Sequence, residues 1–399
     1  FLTKKSPSEN TWGVCVTLKK KIKMKDFIPV NEPLLVGNEK KYLAECIDTG
    51  WISSEGPFVK RFEEEFAARV GRKYGIAVTN GTAAIDATVE ALGIKSGDEV
   101  ILPTFTIISC ILQIKRSGAT PVLVDSDPLT WNMDVSQIEA KITSKTKAIM
   151  VVHIYGLPVD MDLIMDLCQK YNLKLIEDAA EMIGQTYKGR QCGSFGDIST
   201  VSFYSNKHIT TGEGGMILTD DEEIATNCRE IRNLYFKPGN RFVHERLGWN
   251  LRMTNIQAAL GVAQLERLDE LLEKKRWIGQ KYNQLLAELS SVQLPLKETS
   301  YAKNIYWVYG LVLDDSLKFD AKEIMSNLHK NGIGCRPFFY PMHLQPALIN
   351  QGLFKGESYP VAEKLYRRGF YLPSGLSLSE NQIMRVSDTL KEIFQIMKH

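Results

Sequence analysis

The sequence has no long apolar run: nothing in its 399 residues approaches the ~20 consecutive apolar residues a membrane-spanning helix needs. It has no charge bias either. Its 49 lysines and arginines against 47 aspartates and glutamates leave a net charge of +2, which gives no electrostatic reason to expect nucleic acid as a partner. Cysteine is scarce and scattered. Seven stand at positions 15, 46, 110, 168, 192, 228 and 335, odd in number and without a C-x-x-C pair. That pattern speaks against a disulfide framework or a zinc site, so no metal is expected, and it suits reduced thiols in the cytoplasm. Internal repeats and low-complexity stretches are missing. So are the G-x-x-x-x-G-K-[ST] and G-x-G-x-x-G fingerprints, which weakens nucleoside-triphosphate and dinucleotide readings.

What is present is ordinary globular composition, 44% hydrophobic and 24% charged. The length suits two lobes with a sizeable core. Residues 1–26 differ from the rest. They carry Lys4, Lys5, Lys19, Lys20, Lys21, Lys23 and Lys25 and little apolar content, and 12–18 is too short and polar for a signal-peptide core. We expect a leader or disordered basic extension, with Met24 a candidate initiator and a basic arm toward an acidic partner the alternative. The globular pattern starts at Phe27-Ile28-Pro29-Val30.

From Tyr74 to about Leu218, short apolar strands alternate with helical segments. Strands are expected at 75–78, 99–102, 121–124, 148–152, 173–176, 198–203 and 215–218, and helices at 83–92, 107–116 and 160–171. Strands apolar on both faces, alternating with helices, predict an α/β fold with a mainly parallel sheet covered by helices. One amphipathic helix is expected over 255–276, burying Ile256, Leu260, Leu265, Leu268 and Leu272. It leads from a large domain, 27–262, into a smaller C-terminal α+β domain, 263–399, with a strand at 307–313 and a helix at 321–331.

Chemistry concentrates in Ser202-Phe203-Tyr204-Ser205-Asn206-Lys207-His208, followed by Gly212-Glu213-Gly214-Gly215. Lys207 lies just past an apolar strand, before a glycine-rich turn where backbone can pass close to a flat ligand. A lysine amine needs a pKa below its usual ~10.4 to act as a nucleophile near neutrality, and burial lowers it. Such an amine forms a Schiff base with an aldehyde. Taken alone, a lysine after a strand is equally a surface charge. Asp178, in Ile176-Glu177-Asp178-Ala179-Ala180-Glu181, is expected at the carboxyl end of a strand, where open parallel sheets bind ligands. There it can pair with a protonated pyridine nitrogen; a helix N-cap is the alternative. Thr79-Asn80-Gly81-Thr82, between strand and helix, leaves N–H groups free as a phosphate seat or serves only as a cap.

Phosphate turn, ring aspartate and Schiff-base lysine, in that order, resemble fold type I pyridoxal-phosphate enzymes of the aspartate aminotransferase type. More narrowly, the chain resembles the DegT/DnrJ/StrS family of nucleotide-sugar aminotransferases. The matching stretches are 50–54, 80–82, Val152-His153-Ile154-Tyr155-Gly156, 177–180, 202–215, Gly248-Trp249-Asn250-Leu251-Arg252-Met253-Thr254, 257–261 and Phe339-Tyr340-Pro341-Met342-His343, which span nearly the whole chain after residue 27.

The resemblance implies that Lys207 binds pyridoxal 5'-phosphate covalently and shuttles a proton. Asp178 would pair with the ring nitrogen, Gly81, Thr82 and Ser202 would hold the phosphate, and Glu181 would lie near the ring. Asn250 would reach the phosphate from the neighbouring subunit of a homodimer. Many relatives carry a stacking aromatic where this chain has Ile107, which would cover the ring by apolar contact alone; Phe105 is either its substitute or core. Relatives that remove a hydroxyl carry histidine at the Schiff-base position, and lysine here, with His208 beside it, favours transamination. The implied reaction passes an amine from L-glutamate through the cofactor to a keto sugar on a nucleotide diphosphate. Segments 27–30 and 50–56 look closest to members that aminate GDP-4-keto-6-deoxymannose at carbon four. Trp51, Ser53, Tyr340 and His343 are then candidates for the sugar pocket, and Lys237, Arg241 and Arg246 for the diphosphate. Another nucleotide sugar, a lyase or dehydratase, or a ligand-binding regulator of the same fold are the alternatives.

Overall fold

The computed structural model describes residues 27–236, 239 and 242–398. The basic stretch 1–26 with Met24, and Lys237 and Arg241, lie outside the described residues.

In chain order the elements are α1 (Glu39–Thr49), α2 (Pro57–Val70), β1 (Tyr74–Val78), α3 (Gly81–Ala91), β2 (Glu99–Pro103), α4 (Ser109–Arg116), β3 (Thr120–Val124), β4 (Thr146–Val152), α5 (Met161–Tyr171) and β5 (Lys174–Asp178). A short hairpin, β6 (Thr186–Tyr187) and β7 (Arg190–Gln191), precedes β8 (Ile198–Ser202), β9 (Gly215–Thr219) and α6 (Glu222–Arg232). Then come α7 (Asn255–Leu265), α8 (Leu268–Leu285), β10 (Val292–Gln293), β11 (Tyr309–Leu313), α9 (Ala321–Lys330), β12 (Arg336–Pro337), α10 (Pro346–Ile349), α11 (Pro360–Arg368), β13 (Gly369–Leu372) and α12 (Glu380–Lys398).

Seven strands form one sheet in the order β1-β9-β8-β5-β4-β2-β3. Neighbours from β8 through β3 pair in parallel, while β9 runs against both β8 and β1. Alternate residues of each strand feed cores on opposite faces. Ile76, Leu102, Met150 and Ile176 face one, and Ala77, Ile101, Val151 and Leu175 the other. Double burial explains why these strands read as continuous apolar runs.

The second sheet, β10-β11-β13-β12, is antiparallel throughout. Ile278 and Tyr282 of α8, Ile324 and Leu328 of α9, and Val386 and Leu390 of α12 share a core with its strands. Residues 27–30, assigned by the sequence to the start of the large domain, join this second unit instead. Ile28 bridges to Ile333, and Ser374 N–H donates to Val30 O at 3.0 Å. The pairing satisfies the segment's backbone and buries Ile28 in the smaller core.

The expected helix over 255–276 is two helices. Arg267 has φ −116 and ψ 13, outside helical geometry, and α8 restarts at Leu268. The buried face of α7 also differs from expectation: Ala258, Ala259, Gly261, Val262 and Ala263 are buried, while Ile256 is exposed. The cause is close packing on α2. A Cβ on Gly261 would stand 2.6 Å from the Phe62 ring, so small residues make the seam and Ile256 turns outward, while Leu268 and Leu272 are buried as expected. A capping box of Thr254 and Gln257 starts α7.

Candidate active site

A cavity of about 720 Å³ opens at the carboxyl edge of the large sheet. Gly81, Thr82, Ile107, Asp178, Glu181, Ser202 and Lys207 all line it.

The seat at one end is built by α3. Asn80 caps the helix, its Oδ1 accepting Ala83 N–H at 2.8 Å. Gly81 and Thr82 N–H, in the first turn, have no intrahelical acceptor. The helix dipole adds partial positive charge at the same point. A Cβ on Gly81 would stand 2.9 Å from Ser202 Cβ and 3.2 Å from its Oγ, so only glycine lets the Ser202 hydroxyl approach this turn. Thr82 Oγ1 and Ser109 Oγ share a hydrogen bond of 2.8 Å.

Asp178 closes β5, opposite Val152 of β4. Its Oδ1 accepts Ala180 N–H at 3.0 Å, and its Oδ2 receives a weak contact from Cys110 Sγ at 3.5 Å. No helix starts here, so the aspartate is not a helix cap. Burial pushes its carboxyl above the usual range, while Ala180 N–H and the nearby Lys207 charge oppose the rise. A cationic ring N–H is the partner that would favour the ionised form further.

Lys207 sits in the turn after β8, its N–H donating to Tyr204 O at 2.9 Å. Its Nζ lies 4.0 Å from Glu181 Oε1 and 3.9 Å from the centre of the Trp307 ring. Burial pushes this amine below the ordinary lysine range, against the attraction of Glu181 and Asp178. Glu181, whose Oε2 accepts Tyr155 N–H at 2.8 Å, is pushed up by burial. The two shifts run in opposite directions and share one cause, burial, which disfavours the charged form of each group. His208 is buried too. Its burial, then the charges of Lys275 and Lys207, hold its imidazole well below the usual range.

Several expected residues do not line this cavity. Trp51 and Ser53 are exposed, their carbonyls held by Asn255 Nδ2 (2.7 Å) and Asn255 N–H (2.8 Å). Asn250 is also exposed, bridging to Asn233. The Tyr340 ring packs edge-on against Tyr366 at 4.6 Å, while its neighbour Phe339 faces the cavity. His343 is buried with both ring nitrogens occupied: Nδ1 bonds Thr104 Oγ1 at 2.8 Å and Nε2 bonds Glu363 Oε1 at 3.1 Å. It braces the fold here and is not free to meet a sugar. Phe105 is core, packed on Tyr155, Phe338 and Phe339. The Arg246 guanidinium covers the Tyr235 ring at 4.6 Å.

Sequence reading missed other wall residues: Thr106, Trp307, Phe339 and Tyr371. Phe339 lay within a recognised motif; Trp307 was read only as the start of a strand. His153, Glu177 and Cys192 offer atoms within 4.8 Å of one another. Glu177, however, already accepts Gly193 N–H (2.6 Å), Phe195 N–H (2.8 Å), Ser199 Oγ (3.2 Å) and His153 Nε2 (3.0 Å), and His153 Nδ1 accepts Val159 N–H (3.1 Å). The cluster is hydrogen-bonded framework.

Anion seat, buried carboxylate and desolvated amine, on three segments around one cavity, are the binding features a phosphorylated pyridine aldehyde requires, so these residues fit pyridoxal phosphate. Comparison with known proteins agrees. Residues 33–391 match the DegT/DnrJ/EryC1/StrS aminotransferase family, and the chain belongs to it. It is 43% identical over 368 residues to a GDP-perosamine synthase of Escherichia coli O157:H7, covering 92% of this chain and 99% of the relative. The crystal structure of an aminotransferase from Psychrobacter cryohalolentis superposes with a TM-score of 0.87 at 32% identity, over 94% of this chain and all of that one. A Streptococcus pneumoniae protein, 26% identical over 93% of this chain and 99% of its own with a TM-score of 0.86, is solved in a PLP-form and also in a PMP-form. Aminotransferases of this family depend on pyridoxal phosphate. Among the described residues no helix is long and apolar enough to cross a membrane.

Proposed function

We propose that this cavity holds pyridoxal phosphate and that the protein transfers an amino group from L-glutamate to a 4-keto-6-deoxyhexose on a nucleotide diphosphate, with GDP-4-keto-6-deoxymannose the substrate and GDP-perosamine the product. The observation that carries the reading is the convergence of Lys207, Asp178 and the Gly81–Ser202 cradle on one cavity. The identity of the sugar is supported by the E. coli relative, a GDP-perosamine synthase by name. When bound, the cofactor supplies an aldehyde carbon that takes up amines and a cationic ring that withdraws electrons.

The chain's own groups do the rest. Gly81 and Thr82 N–H with Ser202 Oγ would hold the phosphate, and Asp178 would pair with the ring nitrogen and keep its proton in place. Lys207, its amine pushed below the ordinary lysine range by burial, would hold the cofactor through its Nζ and would be the group placed to carry a proton at that atom. Glu181, its carboxyl raised by the same burial, is placed to exchange that proton with the amine. Ile107, which lines the cavity, would cover the ring by apolar contact alone. We place the protein in the cytoplasm as a homodimer. The support for a dimer is that Trp51, Ser53, Trp249 and Asn250 stand exposed outside their own chain's cavity, where a second copy would use them.

The test is product analysis with purified protein, L-glutamate and three keto sugars, linked to GDP, UDP and dTDP. Amination of the GDP sugar at carbon four, with formation of 2-oxoglutarate, is expected. Turnover of only the UDP or dTDP sugar rejects the sugar assignment, and loss of a hydroxyl without amine incorporation rejects the transaminase reading.

A further inference from the structure

Trp307 belongs to none of the stretches that define the family resemblance, yet it is tied into the site from three directions. Its ring face lies 3.9 Å from Lys207 Nζ. Its Nε1–H donates to the carbonyl of Asn206, the residue before Lys207, at 2.9 Å. Its own carbonyl accepts Lys275 Nζ–H at 2.9 Å.

Lys275 is unusual in its own right. It is 1% exposed, on α8, and its second bond goes to Ser374 O at 2.6 Å. Ser374 Oγ in turn accepts Tyr309 N–H and donates to Leu372 O, both at 2.8 Å. One buried amine thus gathers the start of β11 and the end of β13, and through Trp307 O it fixes the indole that crosses to the large sheet's lysine loop. An apolar side chain would fill this space at lower desolvation cost, so the amine's worth lies in what it holds.

The indole also suits a mobile lysine. A hydrogen bond would fix the amine at one atom and occupy its lone pair or a donor. A ring face attracts the ammonium without a fixed direction and leaves the neutral amine its lone pair. Moving the indole breaks its bond to Asn206 O.

We propose that Trp307 is a positioning residue for Lys207, anchored from behind by Lys275, so that the indole holds the amine against the cavity beside Glu181. The inference rests on Lys207 being the cofactor lysine.

The experiment acylates cofactor-free protein with acetic anhydride and follows Lys207 by mass spectrometry, with exposed Lys60 in the same digest as reference. Trp307→Leu is expected to raise the Lys207 rate relative to Lys60 by about thirtyfold, the scale of one buried cation–π contact. Trp307→Phe, which keeps a ring face, stays within about twofold of the parent. Lys275→Met moves in the same direction as Trp307→Leu, and the double variant goes no further than Trp307→Leu alone, because both act through one indole. An unchanged rate in Trp307→Leu, equal rates for the Leu and Phe variants, or additive effects of Lys275→Met each overturn the proposal. Circular dichroism establishes folding, and Trp307→Met replaces the Leu variant if that one does not fold. The label reads the amine with no cofactor present. A negative result here leaves the cofactor-lysine reading intact, whereas failure of that reading is seen by borohydride trapping.

Discussion

Two carboxylates stand side by side at the end of β5. Glu177 faces the core and is met by two backbone N–H groups, a serine hydroxyl and a histidine. Asp178 faces the cavity and has one backbone N–H and a distant thiol. The two buried lysines repeat the contrast. Lys275 holds two carbonyls, while Lys207 has a ring face and a carboxylate at 4.0 Å. Both carboxylates are buried, and the lysine side chains are largely so, Lys275 at 1% exposed and Lys207 at 10%, so burial alone does not tell framework from function. Completeness of partners does: a buried polar group left short of hydrogen bonds is costly, and a chain that keeps one has a use for the open valence.

The sharpest way to break this comparison is to truncate its two carboxylates. Glu177→Ala leaves Gly193 N–H, Phe195 N–H and His153 without their acceptor and should cost about 3–5 kcal/mol of stability, read by urea unfolding. Asp178→Asn should unfold nearly like the parent but slow the glutamate half-reaction about ten- to a hundredfold, the worth of one charged hydrogen bond. If Asp178→Asn is the unstable protein and Glu177→Ala the slow one, the distinction is wrong.

A second prediction concerns pH and the framework lysine. Burial lowers the Lys275 amine to about 7 in the folded protein. The unfolded chain therefore binds more protons between that value and the ordinary ~10.4, and stability contributed by this group rises with pH across that window. Lys275→Met should flatten the rise in urea midpoints measured from about pH 7 to about pH 10, where the parent's extra proton uptake on unfolding is lost. An unchanged slope in the variant would mean the amine titrates normally and is not sealed in.

The smallest effect is expected at the cradle. Gly81→Ala adds a methyl 2.9 Å from Ser202 Cβ. Overpacking of this kind costs ~1–3 kcal/mol, so cofactor affinity, measured by fluorescence titration of the cofactor-free protein, should fall about tenfold or more. Affinity equal to the parent's would show that the phosphate lies elsewhere.

The alternation of apolar strands with helices made the α/β class legible, because burial on both faces leaves a continuous apolar run that survives in the sequence. Lys207, Asp178 and Gly81 were legible for a related reason: each sits where a strand ends, a place local pattern marks. Periodicity was less informative at Glu266–Arg267, where Leu265, Leu268 and Leu272 continue an apolar rhythm across a break set by backbone angles. Nor does pattern show which way a loop residue turns. Tyr340 and Phe339 are adjacent and only the latter reaches the cavity, and His343 is spent on Thr104 and Glu363, partners remote in sequence. Trp307 and Lys275 were illegible because their meaning lies in contacts with Asn206 and Ser374, which only folding brings together.

We propose Lys207 as the covalent anchor of a cofactor seated on the Gly81–Ser202 cradle against Asp178. Borohydride reduction of the pyridoxal-phosphate-loaded protein, followed by peptide mass mapping, tests it directly. One phosphopyridoxyl group is expected on the peptide containing Lys207, and none in Lys207→Ala. The same adduct on another lysine, or an undiminished adduct in Lys207→Ala, would contradict it.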